Sequence, residues 1–270
     1  MDEHPPDTVS VQFEVGIGER RITATAQVPS GQTNLTQILP VLRAIDDSFI
    51  DGITTQLAAA GHPVSCRRGC GACCRQMVPI SIFEAEALGN WIRTLPEARR
   101  LELKSRFHQA LTKLAAAGIV DRMVKDDWLA DHDGSSQLAI DYLNQRIPCP
   151  FLEDEACSIH TFRPLICREH LVTSSPDHCV NPEEGKTVGV HLPIHFARVL
   201  AHIGAEVEGA AHGCIPLLFL FAWMQSGARP GDAVAGTGPQ VLYEFVKRLD
   251  EGRIPPPAEP SAGDPAANEP

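Results

Sequence analysis

Apolar and polar residues alternate from residue 9 to residue 28. Val9, Val11, Phe13, Val15 and Ile17 fall on one arm and Ile22, Ala24, Ala26 and Val28 on the other, with Gly16 and Gly18 near the turn. A period of two on both arms predicts a β-hairpin. From about Asn34 the period lengthens, and Leu35, Ile38, Leu39, Leu42, Ile45, Phe49, Ile53 and Leu57 keep helical spacing up to Gly61. Pro40, which lacks an N–H, places the start of the regular helix near itself. Similar periods predict helices over Ser81 to Thr94, over Pro96 to Ala117 with Gly118 as a stop, and over about Ser135 to Gln145. Three more are predicted at about 193 to 208, 215 to 226 and 238 to 250. The apolar run Ile215 to Met224 is about half the roughly 20 residues of a membrane span and contains Pro216, so it reads as a buried helix. The chain closes on IPPPAEPSAGDPAANEP, a proline-rich run that predicts a disordered tail.

One long stretch has no sustained period. CPFLEDEACSIHTFRPLICREHLVTSSPDHC is rich in turn residues and needs something other than a packed face to hold it; a bound metal would serve. It carries Cys149, Cys157, Cys167 and Cys179, and CRRGCGACC upstream carries Cys66, Cys70, Cys73 and Cys74. Zinc and iron–sulfur iron are bound by about four thiolate-type ligands, and short loops bring such ligands together. The first group is Cys66-x3-Cys70-x2-Cys73-Cys74, with Gly69 and Gly71 allowing sharp turns around Cys70. Adjacent side chains point in different directions, so Cys73 and Cys74 are expected either to reach two metals or to divide ligation from packing or redox work. The second group, Cys149-x7-Cys157-x9-Cys167-x11-Cys179, is too widely spaced to act without the first. Two four-thiolate centres, or one centre drawing on both groups, satisfy the spacing equally. Arg67, Arg68, Arg75, Arg163 and Arg168 lie beside these cysteines and could offset the net negative charge of a thiolate site. The ninth cysteine, Cys214, stands alone at the start of the apolar helix expected there and is expected only to pack.

Composition narrows the class. The chain has 270 residues, 43% hydrophobic and 21% charged, which suits a globular protein and excludes fibrous and wholly disordered ones. A formal charge of −11 opposes a phosphate backbone, so no nucleic-acid partner is expected. MDEHPPDTVS has no basic stretch followed by an apolar one, which predicts no secretory signal, no membrane attachment and a reducing, cytoplasmic compartment where clustered thiols bind metal rather than pair.

The strings GCGACC, CPFL, CSIH and RPLICREH together resemble the YkgJ-type cysteine-cluster family, with its C-x2-C-x2-CC-like start and later C…CxI[YH]xxRPxxCR block. The likeness covers about residues 66 to 180. It implies a zinc- or iron-chelating domain whose eight shared cysteines fall on Cys66, Cys70, Cys73, Cys74, Cys149, Cys157, Cys167 and Cys179. A distant relation to flagellin lysine N-methylase hints at methyl transfer. The chain departs from the pattern in its three-residue first spacing and in the long helical segment between the groups.

Rival readings of the same residues carry less. Cys66-x3-Cys70-x2-Cys73 has the spacing of a radical SAM site, but Ala72 stands where an aromatic is usual and no repeated βα units follow. A redox pair at Cys73-Cys74 would need a strained vicinal disulfide. His160 and His170 lie inside the second block and are open to metal ligation, whereas His191, His195 and His202 read as surface or core histidines. Asp126, Asp127, Asp131 and Asp133 read as a solvated acidic turn.

The expectation is a mostly α-helical α+β protein: an N-terminal hairpin and helix (1–61), a cysteine-cluster metal-binding domain (62–180), C-terminal helices packed on that core (181–252) and the tail (253–270). Its expected cofactor is a [4Fe-4S] cluster or Zn2+ held by the eight cysteines, with a redox or transferase role open to it. The alternative is a structural zinc module that meets a protein partner.

Overall fold

The computed structural model describes residues 7–17, 20–125, 132–181 and 186–251. The acidic segment 126–131 and the tail from 253 onward lie outside the described residues.

Strands β1 (Thr8–Ile17) and β2 (Arg20–Pro29) pair antiparallel, Val15 opposite Ile22 and Val11 opposite Ala26. Val15, Ala26 and Val28 face the core while Glu14, Thr23 and Thr25 face water, as the alternation predicts. A short β3 (Gln32–Asn34) leads into α1 (Leu39–Ala59), which has Pro40 in its first turn, where a missing N–H costs nothing. Next come β4 (Pro79–Ser81), α2 (Ile82–Thr94), α3 (Glu97–Ala116), α4 (Val120–Met123) and α5 (His132–Asn144). The second cysteine segment forms a small hairpin, β5 (Leu152–Glu153) and β6 (Ala156–Cys157), then two short helices, α6 (Leu165–Glu169) and α7 (Asp177–Val180). The chain closes with α8 (Phe196–Glu208), β7 (Cys214–Pro216), α9 (Leu220–Trp223), β8 (Ala235–Thr237) and α10 (Gly238–Glu251). The architecture is α+β and mostly helical. No helix among the described residues is long and apolar enough to cross a membrane.

Two hydrophobic cores meet along α2. Ile82 and Phe83 join the hairpin, α1, α6, α8 and α10 in one, while Ala85, Leu88 and Ile92 join α3, α5, Phe151, Ile159 and Leu217 in the other. Serving two cores explains why most of α2 is buried rather than one stripe of it.

The run Ile215 to Met224 corrects the expectation of one buried helix. Pro216 offers no N–H, and the chain there extends as β7, with Ile215 opposite Ile80 and Cys214 opposite Ser81, before a 3-10 turn and the single turn of α9. Cys214 therefore sits on a strand, not in a helix.

The face of α1 toward α6 is polar and buried. Arg43 and Asp46 are almost fully enclosed, and Nε and Nη2 of Arg43 and Oδ2 of Asp46 have no hydrogen-bond partner. Burial, reinforced by the charges of Glu169 and then Asp47, pushes the Asp46 carboxyl up to about 8. A carboxyl whose pKa is raised on folding stabilises fully below its ordinary value near 3.8, and that contribution is lost as pH rises through about 8. Between pH 5 and pH 9 the wild-type denaturation midpoint should therefore fall relative to that of Asp46→Asn. Parallel urea midpoints for the two proteins across this range would refute the assignment.

Candidate metal centre

Each cysteine is placed by local bonding that the sequence dictates. The extended stretch before Cys66 lies along residues 172 and 173, with Ser65 donating its N–H to the Val172 carbonyl at 2.9 Å and its hydroxyl to that of Thr173 at 3.0 Å. The chain then turns at Gly69, whose φ of +85° favours glycine, and the Cys70 N–H bonds the Arg67 carbonyl. A 3-10 turn over Ala72–Arg75 follows and carries Cys73 and Cys74. Gly71 precedes it, and a side chain there would strike the Glu155 carboxylate, which Arg75 holds with a bond of 2.7 Å.

The two cysteine groups meet through backbone. Cys149, far downstream in the chain, donates its N–H to the Cys74 carbonyl at 2.7 Å. Cys157 lies opposite Leu152 in the β5–β6 hairpin, whose turn at Asp154 and Glu155 takes positive φ at both residues. Arg99 and Arg106 on α3 grip Glu153 of that hairpin, and Arg106 also reaches the Pro150 carbonyl.

Cys167 sits on α6, which is clamped from three sides. Glu84 closes a capping box with Ser81 at the start of α2 and accepts the Leu165 N–H at 2.7 Å with its other oxygen. Buried Arg168 binds Asp47 on α1 and donates to the carbonyls of His160, Thr161 and Arg163. Glu169 accepts the Ala197 N–H at 3.0 Å and lies 3.1 Å from His195 Nδ1 at the start of α8.

The eight sulfurs sort differently in space than in sequence. Cys73, Cys74, Cys149, Cys157 and Cys167 line one cavity of about 90 Å³, together with His170 and Arg163 and an apolar wall of Met77, Val78, Phe151, Ile159 and Leu217. Cys66, Cys70 and Cys179 pack with Ala72 and Val172 beside it. Cys73 and Cys74 share this cavity despite being adjacent, and the charge of Cys73 also raises Cys66 and Cys179 of the second set.

Electrostatics set the thiols' resting state. Burial pushes Cys149 up to about 12 and raises Cys157 and Cys167, while Cys179 rises to about 11 by burial and the neighbouring Cys66, Cys73 and Cys70. Cys73 moves the other way: a hydrogen bond from the Cys74 thiol, aided by Arg163, lowers it, and Cys74 rises in return. Metal entering this cavity would displace protons from the other thiols. Burial lowers His170, with Arg163 acting in the same direction, and favours the neutral imidazole.

Among the described residues no three His, Cys, Asp or Glu side chains are already arranged to hold an ion. The donor set nevertheless fits one in chemistry: soft sulfur from two separate segments lines one wall, and the buried Nε2 of His170 has no partner.

Residues 65–185 match the family model CxxCxxCC, described as "Putative zinc- or iron-chelating domain". The match takes in somewhat less than half of the chain. No curated protein and no solved structure matches the chain. The matched segment takes in all eight clustered cysteines and leaves out Cys214.

The arginines expected as counter-charges divide. Arg163 lines the cavity and favours the thiolates of Cys73, Cys157 and Cys167. Arg168 also favours the Cys157 thiolate but makes its bonds as a clamp, Arg75 pairs with Glu155, and Arg67 and Arg68 are exposed. Glu84 and Glu169, which position the matched segment from outside its cysteines, escape a reading of the sequence. The Ser-x-x-Glu pattern at residues 81–84 signals the capping box, although nothing local signals the bond to Leu165.

Arg168→Lys keeps the charge and loses the planar fork, leaving buried carbonyls unpaired at a cost of about 1–3 kcal/mol. Thermal stability and metal retention should fall together in this variant. Wild-type values of both would show that Arg168 does not hold the Cys157–Cys167 loop.

Proposed function

We propose that the protein is a cytoplasmic metalloprotein that holds a [4Fe-4S] cluster or zinc with thiols from both cysteine groups. The observation that carries this is the single cavity lined by Cys73, Cys74, Cys149, Cys157 and Cys167, backed by the family's zinc- or iron-chelating description. Cys66, Cys70 and Cys179 provide a second donor set beside it, within reach of Cys73 for a second ion. An iron–sulfur cluster would supply redox or transferase chemistry there, and Arg163 would offset its negative charge.

A second reading is a structural zinc module that meets a protein partner. The cavity's size favours it: about 90 Å³ leaves no space for an organic substrate beside an ion, since small-molecule sites run to roughly 300–1,000 Å³. A closed four-donor shell is likewise the structural form of zinc.

Protein purified without oxygen separates the two readings. Brown protein with stoichiometric iron and acid-labile sulfide is the outcome for the first, and colourless protein with one or two zinc ions for the second. In either case Cys74→Ser and Cys157→Ser should each release metal and lower the melting temperature. Protein that retains neither metal, or variants with full metal content, would contradict the proposal.

A further inference from the structure

We propose that His170 is a nitrogen ligand of this centre, so that the bound ion sits in a mixed thiolate and imidazole shell anchored by Cys167 and His170. The inference rests on the metal-binding reading above and specifies its donors.

The placement comes first. α6 ends at Glu169 and His170 is its C-terminal cap, three residues after Cys167 and so one helical turn along the same face. Both side chains line the cavity that receives Cys73, Cys74, Cys149 and Cys157. The ring cannot drift from it freely, because α6 is held by Glu84 at its start and by Arg168 and Glu169 at its end.

The second observation is an atom without a partner. His170 Nε2 is buried and makes no hydrogen bond. Buried polar atoms are overwhelmingly paired, and leaving one unpaired costs about 1–3 kcal/mol. The cavity's other polar side chains, Gln76 and Arg163, make no hydrogen bond to it, and the remaining lining is sulfur and apolar carbon. A metal ion accepting the Nε2 lone pair removes that cost, and neutral imidazole is a common ligand of zinc and iron. Of the other histidines, His195 Nδ1 lies against Glu169 and His178 Nδ1 against the Lys186 carbonyl, while His160, the other histidine open to ligation, is exposed and does not line the cavity.

An imidazole in place of one thiolate lowers the negative charge of a four-donor shell by one. It also leaves the cavity with more sulfurs than the ion needs, so two of the five remain outside the shell.

The test is X-ray absorption at the zinc edge on full-length protein loaded with Zn2+ alone, in the wild type, His170→Ala and His170→Gln. The wild type should show a mixed sulfur and nitrogen shell with imidazole ring scattering. Both variants should lose that scattering while their circular dichroism stays native, and chelator competition should show zinc held roughly tenfold or more weakly. His178→Ala should retain it. A sulfur-only shell in the wild type would overturn the assignment without any variant having to fold, as would ring scattering that persists in His170→Ala. Zinc bound through sulfur alone leaves the metal-binding reading standing; a wild type that takes up no zinc, iron or sulfide removes that reading and this one together.

Discussion

The Cys149 N–H and the Cys74 carbonyl lie 2.7 Å apart although a block of helices separates them along the chain, and the centre depends on that junction. Thiols can share an ion only if their backbones approach within a side chain's reach, so the two cysteine segments must be brought together and held. The intervening helices are folded so that Leu138 and Tyr142 of α5 pack in the same core as Phe107 of α3 and Phe151 beyond Cys149. Ion pairs from α3 then fix the β5–β6 hairpin that carries Cys157. What lies between the cysteine groups is thus a spacer of defined shape, which returns the chain to its starting point.

Charge is used just as economically around α6. Glu84 satisfies the Ser81 N–H and hydroxyl with one oxygen and the Leu165 N–H with the other, tying the entry of α2 to the helix bearing Cys167. Arg168 gathers three carbonyls of the preceding loop and ties them to α1, and Glu169 caps α8. These contacts convert a segment of weak intrinsic structure into a rigid wall before any metal binds. An ion entering here would meet buried thiols whose raised proton affinity opposes it until protons leave.

Much of the fold was legible in the sequence because each element buries one stripe or one face. The period of two from Val9 to Val28 and the helical spacing from Leu39 to Leu57 and from Leu103 to Leu114 are direct images of one face turned toward a core. Where structure depends on partners far along the chain, the pattern misleads. Ile215 and Ile80 are cross-strand neighbours in a pair of strands too short to show a period, and the apolar run around Pro216 reads as a helix without that knowledge. The candidate site divides in the same way. Spacing marks all eight cysteines, yet it groups them by distance along the chain, whereas the fold separates Cys66 and Cys70 from Cys73 and Cys74 and gives each pair partners from the second block. Arg168 carries the same lesson: its charge marks it as a counter-ion, which it is for Cys157, but only the fold shows that its planar donors also make it a clamp.

The central claim is that one metal-bearing cavity joins cysteines from both segments. Mass-spectrometric mapping of thiol alkylation tests it directly, comparing folded protein loaded with metal against the same protein after chelation. Cys74 of the first segment should gain protection on loading together with Cys157 and Cys167 of the second, while Cys214 changes little. Protection confined to one segment, with the other reacting equally in both states, would contradict the account.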